Sequence, residues 1–467
     1  MYKRFERVHF VGIGGVGMSG IAEVLRNLGY EVDGSDLRES EITKRLGELG
    51  ININIGHSEE NIKNADVVVI SSAVALDNPE VMAARKMSIP VIPRAEMLAE
   101  LARLKYGVLV AGAHGKTTTT SLIASLLGDC NLDPTVVIGG KLKGIGSNAK
   151  LGEGEFLIAE ADESDGSFLM LSPTIAVVTN IDREHMDFFK DIETIQEAFL
   201  SFINKVPFYG LAILCGDNEY IRELLPDIRR RFITYGLSEG LDLVAKDVRT
   251  EGMNSEFEAV LNGRSLGRFD MPLVGEHNVS NALAAIAVAN ELKLDIESIR
   301  EALRNFSGVQ RRFELKGTAA GIKVIDDYGH HPSEIMATLK AVKDVLKTGD
   351  AGEDGRLFVL FQPHRYTRTR DLLGEFIDSF RDADKVVLMD IYPAGEKPLP
   401  GVNSELIFRG ISEMGKDIEY IKERDHIPGY FDTELRAGDI LLTLGAGDVW
   451  KIGEEFLKMK KEGTEEK

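Results

Sequence analysis

The feature that most limits what this chain can fold into is a glycine turn set between an apolar strand and a helix. The strand Gly107–Ala111 runs into Gly112-Ala113-His114-Gly115-Lys116-Thr117-Thr118, and a helix leaves the turn through TTTTSLIASLL. Glycines let backbone N–H groups converge on phosphate oxygens, and the start of the helix adds a favourable dipole. That dipole contributes only ~0.3–2 kcal/mol, too little to hold a triphosphate alone. The Lys116 ammonium supplies the missing charge, and the Thr117 hydroxyl a ligand for Mg²⁺. Val110 stands where the general GxxxxGK[ST] pattern has glycine, so the loop is a shortened one, GxxGKT.

A second glycine turn, Gly12-Ile13-Gly14-Gly15-Val16-Gly17, follows the strand Val8–Val11 and opens a helix over Met18–Leu28. Asp36, 19 residues past Gly17, falls just after a strand over Tyr30–Asp33. Strand, GxGxxG, helix and a later acidic residue make a diphosphate cradle, shared by nicotinamide cofactors and nucleotide sugars. A further strand, Asp66–Ser71, and a helix over Arg94–Leu104 complete a first α/β unit with a parallel sheet covered on both faces.

The unit that holds the Lys116 loop has later strands at Phe156–Glu160 and Ile175–Thr179. Acidic residues follow the first of these (Glu160-Ala161-Asp162-Glu163-Ser164-Asp165), and Asp182-Arg183-Glu184-His185 follows the second. Read alone, each is a solvated acidic loop or a surface histidine. After successive strands of a phosphate-loop sheet they lie where a divalent cation is held. In Glu276-His277-Asn278-Val279-Ser280-Asn281, the two asparagines share a helix face, and spacing alone favours capping over nucleotide contact. A helix over Ile296–Asn305 precedes GVQRRFE.

A third unit has strands at Lys323–Asp326, Leu357–Phe361, Lys385–Met389 and Ile440–Thr443. Asp327-Tyr328-Gly329-His330-His331 follows the first strand, and His364-Arg365-Tyr366-Thr367-Arg368-Thr369-Arg370 the second. Three arginines within six residues suit a carboxylate or phosphate ligand. Gly445-Ala446-Gly447-Asp448 follows the last strand as a close backbone approach or a plain turn. Residues 348–355 read as a polar loop, and the charged tail from Lys458 as frayed.

Composition narrows the partners. With 55 basic against 75 acidic residues the net charge is −20, which disfavours a nucleic-acid or membrane-surface binder. Two cysteines, Cys130 and Cys215, form no CxxC and exclude a disulfide framework. No apolar run approaches the ~20 residues of a membrane span, and the N-terminus leads straight into a strand, so a cytoplasmic protein is expected.

Taken in order, GIGGVGMSGIAEVL, SDL, SSAV, GAHGKTTTT, AEADESDGSFL, TNIDREHMD, GEHNVSNALAA, GVQRRFE, DDYGHHP, FQPHRYTRT and GAGD resemble the Mur ligase family of ATP-dependent peptidoglycan amide ligases along the whole chain. Ala113 stands where the family's loop usually has threonine. The resemblance implies an α/β protein of three domains. These are a Rossmann-like domain binding a UDP-sugar (1–105), a central P-loop ATPase domain (106–312) and a C-terminal Rossmann-like domain that binds the amino acid and closes over the nucleotide (313–467). It implies a UDP-sugar site of Gly12, Gly14, Gly15, Gly17, Met18, Ser19, Asp36 and Ser71. It places ATP on Gly112, Ala113, His114, Gly115, Lys116, Thr117 and Thr118, with Asn278, Asn281, Arg312 and Asp327 reaching the nucleotide. It implies two Mg²⁺ ions, with Thr117 and Glu160 on one and His185 at the other. Tyr328, His330, His364, Arg365 and Arg368 are implied near the amino acid and the acyl group. The expected substrates are ATP, UDP-N-acetylmuramate and L-alanine, and the expected role is in peptidoglycan precursor synthesis.

Two other classes compete. A nicotinamide-dependent oxidoreductase leaves GKTTTT and the acidic segment unexplained. A nucleotide switch leaves the third unit idle, and TNID lacks the NKxD spacing of guanine-specific switches. Within the family, a ligase that adds a preformed peptide is the remaining alternative.

Overall fold

The protein's structure, a computed structural model, describes residues 6–71, 73–142, 147–348 and 355–465. Most of the polar loop expected at 348–355 lies outside the described residues. The chain divides into two compact units: Met1–Lys246 with Ala259–Gly267 and Ser280–Ser307, and Asp247–Glu258 with Arg268–Val279 and Gly308–Lys467.

The first unit opens with β1 (Arg7–Val11), β2 (Glu31–Asp36), β3 (Asn52–Ile55), β4 (Val67–Ile70) and β5 (Val91–Pro93), in the order β3-β2-β1-β4-β5 and all parallel. Phe10, Val11, Val68 and Val69 have no exposed surface, as a parallel sheet covered on both faces requires. The order reverses beside β1, so a crevice opens at its carboxyl end, where α/β sheets bind ligands. The glycine turn sits there.

Two expectations shift. The helix starts at Val16, inside the turn, and Asp36 ends β2 rather than following it. Apolar patterning stops at Val32, but the backbone keeps pairing through Phe10↔Gly34 and Val11↔Ser35. The polar residues that end the strand have partners instead of solvent.

One of those partners is buried charge. His9, with no exposed surface, points Nδ1 at Asp33 Oδ1 (2.6 Å), and its Nε2 lies 3.5 Å from Glu80 Oε2. Burial alone would lower the histidine, but Asp33 and Glu80 carry it up to about 9. Burial likewise disfavours the Glu80 carboxylate, yet His9, Ser35 and Asn61 bring it down to about 2. A histidine raised in the fold contributes stability fully below its unfolded pKa of 6.5 and loses it as pH climbs through about 9. The urea midpoint should therefore fall between pH 6.5 and about 9 in a way that a His9→Gln variant does not share. Parallel curves would show that His9 is not charged.

Among the described residues the second sheet has ten strands. Tyr106–Ala111 pairs in parallel with Phe156–Glu160 on one side and Ile175–Val178 on the other. The segments that follow these three strands therefore leave from the same end of the sheet. The strands Leu243–Glu251, Asn254–Leu261 and Arg264–Met271, absent from the sequence reading, lie toward the sheet's other end.

The third sheet runs Glu314–Ala319, Ile322–Asp327, Ile440–Leu444, Leu357–Phe361, Lys385–Leu388, Ile418–Tyr420, with only the first pair antiparallel. As far as the described residues reach, the tail continues a helix, Trp450–Glu465, whose Ile452 and Phe456 are fully buried in the core beside Phe431; the last two residues of the segment expected to fray lie outside the described residues. Among the described residues no helix is long and apolar enough to cross a membrane.

Candidate active site

The Lys116 loop is held by the strand beside it. Thr179 Oγ1 donates to the His114 carbonyl (2.6 Å), the His114 N–H donates to Asn180 Oδ1 (2.8 Å), and the Ala113 N–H to the Asn180 carbonyl (3.2 Å). His114 Nε2 pairs with Asp182 Oδ2 at 2.9 Å. The approach is close enough to dictate residue type. A Cβ on Gly112 would lie 2.1 Å from Thr179 Oγ1, and one on Gly115 would lie 2.7 Å from Asn281 Oδ1; both glycines have positive φ, 135° and 80°. Such a cradle of backbone amides at a helix start fits a phosphate chain.

Lys116 turns back into this loop. Its Nζ donates to the carbonyls of Gly112 and Ala113 and lies 2.8 and 3.0 Å from the two oxygens of Glu163. Burial pulls the ammonium down, but Glu163 and Asp162 hold it well above the usual lysine range. Glu163, only 3 % exposed, is pushed up to about 7 by burial. Thr117 and Thr118 are buried in the first turn of the helix Lys116–Asp129.

Glu163, Glu184 and His185 bring ligand atoms within 4.8 Å of one another, and His185 holds a left-handed φ of 56°. Oxygen-rich donors of this kind fit Mg²⁺. His185, which the sequence reading expects as a metal ligand, is a member of this group. Glu163 and Glu184, which that reading passed over, are its neighbours, although both lie in the acidic segments it singled out. Glu160 lies outside this group, and its Oε1 accepts from the Gly139 N–H at 2.7 Å.

The first glycine turn is fixed from below. The Gly12 and Ile13 N–H groups donate to the Ser35 carbonyl (2.8 and 3.0 Å), and the Gly14 N–H donates to Asp36 Oδ2 (2.9 Å). Gly15, Gly17, Met18 and Ser71 line an open cleft of ≈ 300 Å³ whose other wall carries Glu160 and Asp162. Arg94, on the same cleft, reaches Asp162 at 3.4 Å. Ser19 is buried behind the turn, its hydroxyl on the Val16 carbonyl.

Asn278 and Asn281 are not caps. The helix Glu276–Glu291 begins after Gly275, so they occupy its third and sixth positions. Asn278 Nδ2 donates to the Val274 carbonyl (2.8 Å), and Asn281 Oδ1 accepts from Thr119 Oγ1 (3.0 Å).

The second compact unit holds the remaining expected residues. Asp327 is buried with its oxygens on the N–H groups of Phe313 and Gly329 (both 2.8 Å), and burial raises its pKa. The guanidiniums of Arg311 and Arg312 each lie 5.0 Å from the Tyr328 ring centroid. His330 sits edge-on to Tyr328 and to His364, which stacks on Tyr392. Burial, then the positive charge of His330, Arg368 and Arg365, holds His364 down at about 3. A neutral imidazole among cations suits an anionic ligand such as an amino-acid carboxylate. Arg311, missed by the sequence reading, binds Asp326 and the carbonyls of Gly445 and Gly447, making the GAGD segment a close backbone approach.

The chain matches three family profiles in succession: the Mur ligase family, catalytic domain, over residues 7–106; the Mur ligase middle domain over 110–289; and the Mur ligase, glutamate ligase domain, over 311–447. It is 58% identical over 466 residues to a UDP-N-acetylmuramate–L-alanine ligase from Geobacter sp. (strain M21), covering 100% of each chain. It is 55% identical over 463 residues to one from Geotalea daltonii, covering 99% of this chain and 100% of that one. A crystal structure of UDP-N-acetylmuramate-alanine ligase from Thermotoga maritima is similar with a TM-score of 0.83 and 29% identity, over 98% of this chain and 99% of the other. The three-domain α/β architecture expected from the motifs, with Rossmann-like first and last domains around a nucleotide-binding centre, is therefore the fold this chain adopts. With all three profiles in order along its length, the chain belongs to the Mur ligase family.

Proposed function

We propose that this protein is a cytoplasmic, Mg²⁺-dependent ligase that joins L-alanine to UDP-N-acetylmuramate, releasing ADP and phosphate in peptidoglycan precursor synthesis. The observation that carries this reading is the shared cleft, in which Gly15, Gly17 and Ser71 of the first cradle face Glu160 and Asp162 of the ATPase sheet. A sugar nucleotide whose diphosphate rests on Gly12–Gly17, with Met18, Ser19, Asp36 and Ser71 around it, would extend its far end toward the residues that manage ATP. The domains would divide the work as 1–105 for the UDP-sugar, 106–312 for ATP and 313–467 for the amino acid.

Carboxylate and amine do not condense in neutral water, because a carboxylate is a poor electrophile. Transfer of the ATP γ-phosphoryl group to the substrate carboxylate gives an acyl phosphate. The neutral α-amine of alanine then attacks that carbonyl, and phosphate leaves. Three anions must meet, so the chain must supply positive charge. Lys116 and the amides of Gly112–Thr118 would hold the phosphates, with Asn278, Asn281, Arg312 and Asp327 about the nucleotide. Thr117, Glu160 and His185 would hold two magnesium ions, joined by Glu163 and Glu184, which share the His185 cluster. Bound there, magnesium supplies charge neutralisation to the transferring phosphoryl group. Tyr328, His330, His364, Arg365 and Arg368 would bind the alanine carboxylate and orient its amine. Holding the reactants in line contributes ~7–11 kcal/mol to lowering the barrier.

The test is ADP and phosphate release with each substrate omitted in turn, followed by a panel of alanine, serine, glycine and a preformed peptide. Turnover should require both UDP-N-acetylmuramate and L-alanine. ATP hydrolysis indifferent to the sugar nucleotide would defeat the reading, and preference for the peptide would move the chain to another branch of the family.

A further inference from the structure

A buried ion pair is poor value as a source of stability, since apolar side chains of similar volume usually serve as well. The charge beneath the first sheet therefore calls for another use, and the hydrogen bonds indicate one. Glu80, fully buried near the start of the helix Pro79–Lys86, accepts from Ser35 Oγ at 2.5 Å and from Asn61 Nδ2 at 2.5 Å, and more weakly from the Ser58 N–H at 3.3 Å. His57 Nδ1 lies 3.0 Å from the same Ser35 hydroxyl and 3.3 Å from Glu80 Oε2. His9, held by Asp33, stands 3.5 Å away on the remaining side. Ser35 is thus clamped through its side chain, and its carbonyl is the acceptor for both the Gly12 and Ile13 N–H groups. The chain of contacts runs from the buried carboxylate to the serine, and from the serine to the start of the glycine turn.

We propose that Glu80 is a positioning residue for the sugar-nucleotide site: by fixing Ser35 it sets where the Gly12–Gly17 amides point. This rests on the assignment of that turn to the UDP-sugar. Glu80 acts on the cradle only through Ser35, and not by contact with the ligand. A neutral amide at 80 has one acceptor oxygen where the carboxylate has two: its NH₂ turned toward Asn61 meets the Nδ2 and Ser58 N–H donors, and turned toward Ser35 it takes away the acceptor of the serine hydroxyl, so the clamp could not be remade as it stands.

The experiment uses the full-length enzyme and Glu80→Gln, with kcat and the KM of each substrate measured separately, calorimetric titration with UDP-N-acetylmuramate, and a thermal melt. The expected result is a rise of about ten-fold in KM and Kd for the sugar nucleotide. The KM values of ATP and L-alanine should stay within about twofold, and kcat should fall far less than tenfold. A role limited to holding the fold together would instead lower the active fraction and leave all three KM values alone, and that outcome would overturn the proposal. Should Glu80→Gln fail to fold, Ser35→Ala removes only the clamped hydroxyl. It should raise the sugar-nucleotide constants in the same selective way, and unchanged constants would overturn the proposal equally. The underlying assignment fails separately: it is refuted if the wild-type enzyme shows no saturable dependence on UDP-N-acetylmuramate.

Discussion

Replacing Lys116 with alanine is expected to lower turnover by about 10³-fold or more while UDP-N-acetylmuramate still binds with its wild-type affinity. Lys116 is a cation bonded within the phosphate loop itself, to the Gly112 and Ala113 carbonyls, and to Glu163. Loss of a single preorganised donor to a developing oxyanion costs about 10²–10³ in kcat. A loop ammonium facing a transferring phosphoryl group carries a full charge and belongs at the upper end. The fold should survive. Glu163 is already pushed up to about 7 by burial, and losing its cation raises it further, so it takes a proton and leaves no bare charge in the core. Sugar binding should persist because the glycine turn that begins at Gly12 hangs on Ser35 and Asp36 rather than on the Lys116 loop. Steady-state ADP release and calorimetric titration would check both halves. A folded variant that loses sugar binding along with turnover would mean that the two cradles serve one ligand.

Arg311→Met is expected to destabilise the unit that contains it by about 3–5 kcal/mol, the usual consequence of removing one partner of a buried charge pair. Arg311 Nε lies 3.2 Å from Oδ2 of Asp326, which has no exposed surface and whose other oxygen accepts from Thr443 Oγ1 at 2.7 Å. The same guanidinium donates to Gly445 and Gly447, and the Arg311 carbonyl accepts from the Tyr328 N–H at 2.7 Å. The side chain therefore ties the ends of two strands together, while the backbone of the same residue holds the start of the loop bearing Tyr328. Burial already raises Asp326 to about 6 with the arginine present. Without it the carboxyl rises further, and protonation relieves the bare charge, so the deficit should narrow as pH falls. Urea unfolding at two pH values would measure both effects. A loss below about 1 kcal/mol would mean that Asp326 is compensated by other groups.

Several parts of the site were legible because a single residue type at a single spacing has one physical use. Gly112 and Gly115 are such cases: each has a positive φ and a neighbour too close for a Cβ. Lys116 and His185, which the motifs single out, both lie beside Glu163 in the folded chain. Other parts were invisible. Within Glu160-Ala161-Asp162-Glu163, spacing cannot say which carboxylate faces the lysine. Glu163 does so in the folded chain, while Glu160 turns to the Gly139 amide. Thr179 and Asn180 read as the polar end of a strand, but they fasten the Lys116 loop. Arg311 and Arg312 are adjacent letters, yet they take different carboxylate partners, Asp326 for one and Glu334 for the other.

By itself the sequence determined the strand–glycine–helix units, their order, the phosphate-binding chemistry and the family. Those depend on local backbone freedom and on apolar runs that a chain carries wherever it folds. Tertiary structure alone decided which acid pairs with which base, because side chains distant in sequence meet only after the sheets align. His9 and Glu80 lie 71 positions apart, and nothing along the chain connects them until β1 packs beside the helix Pro79–Lys86.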